Sequence, residues 1–318
     1  GDGERTAAAG AAAAGRRTGR NHAGGSAGER TVEVEAMYDY PSEVSEVRFV
    51  VTDDGLELMY REWPGPDRGR PPLMLVHGFL VDYRAWEDVA VRLSDRHRIL
   101  ALDLPGYGKS PIPKNATPDL SLFVRAVSGA IRALCPGAVD LAGHSMGGGI
   151  AIAVAARHPE LVRRLVAVDA LSFPFRLPFK GRLPLIPGFG RLLFQRLYGR
   201  RLFLDYFRSD VMHDRRRLNL GRVDHYYRAF NRPDRRDWAF RTLPLTADPQ
   251  PIAILAPRVK QPTLILWGEH DRLIPRHVAE SLQAAIEGSC LEWIPDSGHA
   301  PIEEQPDETA RRIAAFLE

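Results

Sequence analysis

Beyond Met37 the chain alternates short, continuous aliphatic runs with longer stretches whose apolar residues recur every three or four positions. This is the pattern of a mostly parallel sheet flanked by helices. The segment VRFVVTDDGLELMYRE predicts an opening hairpin with Asp54 and Gly55 in its tight turn. Six runs follow: LMLVHG (73–78), RILALDL (98–104), AVDLAG (138–143), LVAVDA (165–170), TLILWG (263–268) and CLEWIP (290–295). Runs apolar at every position suit central strands covered on both faces. TPDLSLFVRAVSGAIRALC predicts a helix with Thr117 as its N-cap and Pro118 at its first position, and PDETARRIAAFLE predicts a closing amphipathic helix.

One stretch departs from the alternation. Between 171 and 257 there is no strand pattern, only proline-punctuated helical segments rich in aromatic residues and arginine, such as LPLIPGFGRLLFQRLYGRRLFLDYF and RVDHYYRAF. It reads as a helical insertion between two strands. Residues 171–245 hold seventeen Lys and Arg against six Asp, a net of +11, whereas the whole chain is only +3. The remainder therefore carries about −8, so charge is concentrated on the insertion.

Composition narrows the class. With 318 residues, 44% hydrophobic and 26% charged, the chain suits one large α/β domain with an insertion. Residues 1–36 are rich in Gly, Ala and Arg, cannot bury enough surface to offset the entropy of ordering, and read as a disordered tail. Arg16 and Arg17 are not followed by the apolar stretch of an export signal. No apolar run approaches the length of a membrane span. Cys135 and Cys290 are far apart and lack metal-type spacing, so a reducing cytoplasm is the expected location.

The chemistry is carried by DLAGHSMGGG, residues 140–149. Gly143-His144-Ser145-Met146-Gly147 fits G-x-S-x-G, a sharp strand-to-helix turn that exposes a serine hydroxyl, and a strand pattern precedes it while a helix pattern follows. Such a hydroxyl needs a base, and the base needs an orienting group. Asp271 in LILWGEHDRLIP and His299 in DSGHAP both lie just past the carboxyl ends of strand runs, where the active groups of α/β sheets gather. The order Ser145, Asp271, His299 is that of the α/β-hydrolase triad. Asp169, after LVAV, is the alternative acid and ranks behind Asp271. His77 is read as shaping its loop, His144 as pointing away from the hydroxyl, Asp103 as ordering its own loop, and Trp86 as core or pocket wall.

These motifs, HGF, DLPGYGKS, GHSMGG, WGEHD and GHAP in that order, resemble the α/β-hydrolase superfamily over residues 46–318. The likeness is greatest to capped serine hydrolases of the monoacylglycerol-lipase-like and meta-cleavage-product types. The resemblance implies an eight-stranded, mostly parallel sheet with its second strand antiparallel and a helical lid after the sixth strand. The expected division is thus a core of 37–170 and 258–318 with a lid of 171–257. It also implies an oxyanion hole formed by the backbone N–H groups of Phe79 and Met146.

The expected activity is hydrolysis of a carboxylic ester through an acyl-enzyme, with an apolar acyl or aryl group beneath Phe173, Phe175, Leu177 and Phe179. A small-molecule or lipid ester is the expected partner, and no metal or cofactor is required. Carbon–carbon hydrolysis, lactone opening and acyl transfer use the same machinery, and a non-catalytic ligand receptor on this scaffold is a further alternative. Gly108-Lys109-Ser110 ends like a phosphate loop, but Asp103 stands where that loop needs its first glycine. No H-E-x-x-H occurs. The basic insertion is read as a cover over the site rather than a nucleic-acid surface, with contact to an anionic membrane as an alternative use.

Overall fold

The computed structural model describes residues 29–32, 47–66, 69–177, 182–186 and 188–318. The tail expected to be disordered lies outside these residues except for its end, and so does Phe179. At that end, Glu29–Val32 (β1) is a strand pairing antiparallel with Val47–Val51 (β2), where no strand was expected. Only four residues long and without an aliphatic run, β1 leaves no periodic trace; backbone pairing to a sheet edge does not require one.

β2 and Glu57–Trp63 (β3) form the predicted hairpin. Gly55 takes φ +82° in its turn, and its N–H donates to the Thr52 carbonyl at 2.8 Å. The six aliphatic runs become Leu73–Val76 (β4), Ile99–Leu102 (β5), Val139–His144 (β6), Val162–Val168 (β7), Thr263–Gly268 (β8) and Cys290–Ile294 (β9). The sheet has nine strands in the order β1-β2-β3-β5-β4-β6-β7-β8-β9. Pairing is antiparallel from β1 to the β3–β5 contact and parallel from β5 to β9. Setting β1 aside, this is the expected eight-stranded sheet with its second strand antiparallel.

Helices cover both faces, which is why β4, β5, β6 and β8 are buried at every position. They are Glu87–Leu93 (α1), Leu120–Leu134 (α2), Met146–Arg157 (α3), Phe189–Leu192 (α4), Arg200–Tyr206 (α5), Leu220–Phe230 (α6), Pro233–Ala247 (α7), Gln250–Leu255 (α8), Arg276–Ala285 (α9), Pro301–Glu304 (α10) and Pro306–Leu317 (α11). The cap of α2 differs from the expectation. Asp119, not Thr117, is the N-cap, its carboxylate accepting from Leu122 N–H at 2.8 Å. A carboxylate satisfies the same orphan donor as a hydroxyl and adds a charge that favours the helix N-terminus.

Between β7 and β8 the described residues contain helices α4–α8 and short turns but no strand. Phe194, Phe203, Phe207, Tyr226 and Phe230 bury together with Trp86 and Leu80 of the core. Two polar side chains tie α6 to the core beneath. Arg222 meets Asp88 at 2.7 Å and Glu303 at 3.7 Å, and His225 meets Asp82 at 2.6 Å. Burial would raise the Asp82 pKa, but the hydrogen bond and charge of His225 outweigh it and hold the carboxylate well below its usual range.

Candidate active site

The site begins at the turn from β6 into α3. Ser145 has φ 54° and ψ −120°, a conformation costly for any residue with a Cβ. Neighbouring backbone holds it there: Ser145 N–H donates to the Val168 carbonyl and Ser145 C=O accepts from Leu171 N–H, both at 2.9 Å. The flanking glycines are needed for space. A Cβ on Gly143 would lie 2.2 Å from the Gly147 carbonyl oxygen, and one on Gly147 would lie 2.4 Å from the carbonyl oxygens of Val76 and His77.

His299 follows β9 in a loop fixed from two sides. Its N–H donates to the Val211 carbonyl at 2.8 Å, and its carbonyl accepts from His144 Nε2 at 2.6 Å. Buried Glu304 gathers that loop and the insertion by accepting from the N–H groups of Gly298, His213 and Asp214 at 2.6, 2.8 and 2.9 Å. The imidazole is thereby aimed in both directions. Nε2 lies 2.8 Å from Ser145 Oγ, and Nδ1 lies 2.8 Å from Asp271 Oδ2. The other Asp271 oxygen accepts from Leu273 N–H at 2.7 Å and Ile274 N–H at 3.0 Å. With the proton on Nδ1, facing the carboxylate, Nε2 is left to accept from the serine hydroxyl.

The alternative acid, Asp169, is also present. It is fully buried at φ 42°, and its Oδ1 accepts from Gly268 N–H at 2.9 Å. One of its carboxylate oxygens lies within 4.8 Å of one belonging to Asp271 and of a His299 nitrogen. Burial, then the negative charge of Asp271, raises its pKa well above the ordinary value. A dry site and a neighbouring carboxylate both disfavour its charged form. Sequence reasoning treated the two aspartates as rivals, whereas the structure places them side by side. No sequence signal marks the roles of Glu304, Asp82 or His225, because their contacts between core and insertion span ninety residues or more.

The remaining candidates also find their places. His77 accepts from Leu104 N–H through Nε2 at 2.9 Å, so Nδ1 bears the proton and donates to the Gly78 carbonyl at 2.7 Å. Burial pushes its pKa down to about 4. His144, burdened by burial and then by His299, falls to about 3. Both rings are neutral and shape the backbone around the serine. A Cβ on Gly78 would lie 3.1 Å from Ser145 Cβ, so the loop leading to Phe79 borders the hydroxyl. Met146 opens α3, where its N–H has no intrahelical acceptor. Asp103 orders its own loop, accepting from Tyr83 and Lys109 N–H at 2.9 and 2.7 Å. Trp86 is core, its Nε1–H donating to the Val76 carbonyl at 3.0 Å.

A crevice between core and insertion is lined by Leu80, Tyr107, Tyr226, Phe230, Arg235 and Ala239, close to Phe79 but not reaching Ser145. Phe173, Phe175 and Leu177 are half-buried, the two phenylalanines packing on the core. His213, His270 and Asp296 bring donor atoms within 4.8 Å of one another. The two rings stack with centroids 3.9 Å apart and planes only 19° apart, however, so an ion in the plane of one lies outside the plane of the other. As oriented, this trio does not fit a shared metal.

A mostly parallel sheet with a serine strained at the end of a central strand and a histidine within hydrogen-bond reach defines a class of hydrolase. The family model described as alpha/beta hydrolase fold matches residues 71–306, and the chain belongs to this family. An uncharacterized hydrolase of Bacillus subtilis, YugF, is 28% identical over 279 residues, covering 85% of this chain and 97% of that protein. A 2-hydroxymuconate semialdehyde hydrolase of a Pseudomonas species is 31% identical over 256 residues, covering 77% and 86%. Among solved structures, a membrane phospholipase A described as a bacterial virulence factor superposes with a TM-score of 0.71 at 31% identity, covering 85% of each chain. The protein is thus a hydrolase of the α/β-hydrolase family. Among the described residues, no helix is long and apolar enough to cross a membrane.

Proposed function

We propose that the protein cleaves carboxylic esters bearing an apolar acyl or aryl group, through a covalent acyl-enzyme on Ser145. The observation that carries this reading is the unbroken series of 2.8 Å contacts from Ser145 Oγ through His299 to Asp271. His299 Nε2 takes the hydroxyl proton as Oγ attacks the carbonyl, and Asp271 stabilises the imidazolium that forms. The N–H groups of Phe79 and Met146 receive the developing oxyanion. The imidazolium then protonates the leaving alcohol, and water repeats the sequence on the acyl-enzyme. No step calls on a cofactor. The insertion acts as a lid, and its aromatic underside favours apolar acyl groups.

The likeness to a 2-hydroxymuconate semialdehyde hydrolase supports a second reading, hydrolysis of a carbon–carbon bond by the same residues. A panel of chromogenic esters of rising acyl length, together with a meta-cleavage dienoate, separates the two. Ester turnover is expected to fall at least about 1000-fold in Ser145→Ala. Equal turnover by both proteins removes the serine mechanism, and turnover of the dienoate alone replaces the ester reading with the second one.

A further inference from the structure

The first half of the insertion is built inside out relative to the rest of the surface. Of the nine large apolar side chains exposed among the described residues, seven lie between Leu185 and Leu220. Six of them, Leu185, Ile186, Phe189, Leu192, Leu197 and Leu202, fall within residues 182–202. The sequence of that stretch also holds Arg182, Arg191, Arg196, Arg200 and Arg201 and no Asp or Glu. All five arginines are exposed. Arg191 and Arg200 lean on Asp237 and Asp224 of α7 and α6, at 3.5 and 2.8 Å.

Spacing and packing make this one surface. Phe189, Leu192 and Arg196, three and four residues apart, share a side, while Gly190 and Phe194 face inward and are buried. A Cβ on Gly190 would lie 1.9 Å from the Pro184 carbonyl oxygen, so the turn carrying Leu185 and Ile186 lies directly against α4. Residues 193–197 form a π-helical turn, a geometry that recurs at functional positions. Buried Arg236 secures it by donating to the carbonyls of Phe194 and Tyr198 at 2.7 and 3.1 Å. From that turn Phe194 reaches inward to Phe79, ring centroids 6.5 Å apart. The segment that shows leucines to solvent therefore also touches the loop beside Ser145.

We infer that residues 182–186 and 188–202 form a docking surface for an anionic lipid bilayer, with the leucines entering the acyl boundary and the arginines meeting the headgroups. Charge decides between occupants. A water-facing cover gains nothing from exposed Leu192 and Leu197, each about half exposed at 50% and 51%. A second copy of the same patch, still net basic once Asp224 and Asp237 are counted, would repel itself. An anionic membrane matches both the apolar and the basic component. Resting on the serine-hydrolase reading above, the inference names the substrate pool as ester lipids held in that bilayer.

The test uses the full chain, sedimented with vesicles of phosphatidylcholine alone or containing phosphatidylglycerol, at low and high salt. Hydrolysis of a water-soluble short-chain ester is measured in parallel. Wild type is expected to partition onto the anionic vesicles at low salt and to be released by high salt. Arg196→Glu and Arg201→Glu should each weaken binding about fivefold or more, and Leu192→Glu with Leu197→Glu at least about tenfold, all with soluble-ester turnover unchanged. Absence of binding at low salt, equal binding by wild type and variants, or sedimentation without vesicles through self-association overturns the inference. Vesicle binding without soluble-ester turnover would leave docking standing and defeat the hydrolase mechanism, so the two failures are distinguishable.

Discussion

Replacing each of the two adjacent buried aspartates by asparagine separates the group that orients His299 from the one beside it. In Asp271 the backbone donors of Leu273 and Ile274 fix one oxygen as an acceptor. The amide of Asp271→Asn must therefore keep its oxygen there and turn its NH2 toward His299 Nδ1. That forces the imidazole proton onto Nε2, where it faces Ser145 Oγ and no lone pair remains to accept the hydroxyl proton. The expected cost is about 10⁴-fold in kcat/KM, or about 5 kcal/mol at 1.36 kcal/mol per tenfold. In Asp169→Asn the amide oxygen keeps the Gly268 N–H, and a neutral side chain of the same shape replaces a carboxyl whose charged form is already disfavoured. That contact is preserved, so kcat/KM should stay within about threefold and stability within about 1 kcal/mol. The assay is steady-state hydrolysis of a soluble chromogenic ester at pH 7, with urea unfolding to confirm that both variants are folded. Greater damage from Asp169→Asn than from Asp271→Asn would refute the assignment of roles.

The glycines and buried histidines around the serine carry further expectations. Because His77 is held at about 4 against an ordinary 6.5, the stability it contributes is fully present above pH 6.5 and is lost as pH falls through 4. Relative to His77→Gln, wild type should lose about 3 kcal/mol between pH 7 and pH 4, read from urea midpoints; parallel profiles would show that the ring is not buried neutral. Gly147→Ala drives a Cβ to 2.4 Å from two backbone oxygens and should destabilise by about 3 kcal/mol or more. Gly137→Ala, with nothing within 4 Å of its Cβ, should stay within about 0.5 kcal/mol. Similar thermal midpoints for these two variants would remove the steric account of the turn at Ser145.

The sequence by itself determined the elements that depend on local pattern. The aliphatic runs became β4–β9, Asp54-Gly55 closed the hairpin, and the glycines around Ser145 marked the turn, because burial on both faces and close backbone approach each restrict residue type position by position. Strand β1 and the Asp119 cap escaped, since a four-residue edge strand and the choice between two neighbouring capping residues leave no periodic signal. Only the tertiary structure decided that Asp169 and Asp271 stand together, that Glu304 ties the His299 loop to the insertion, and that Arg222 and His225 anchor α6. It also decided which leucines of the insertion turn outward. Periodicity along a chain reports that a face is covered. Which distant side chain covers it, and which of two carboxyl groups faces the imidazole, depends on separations of a few ångströms that exist only once the strands are in register.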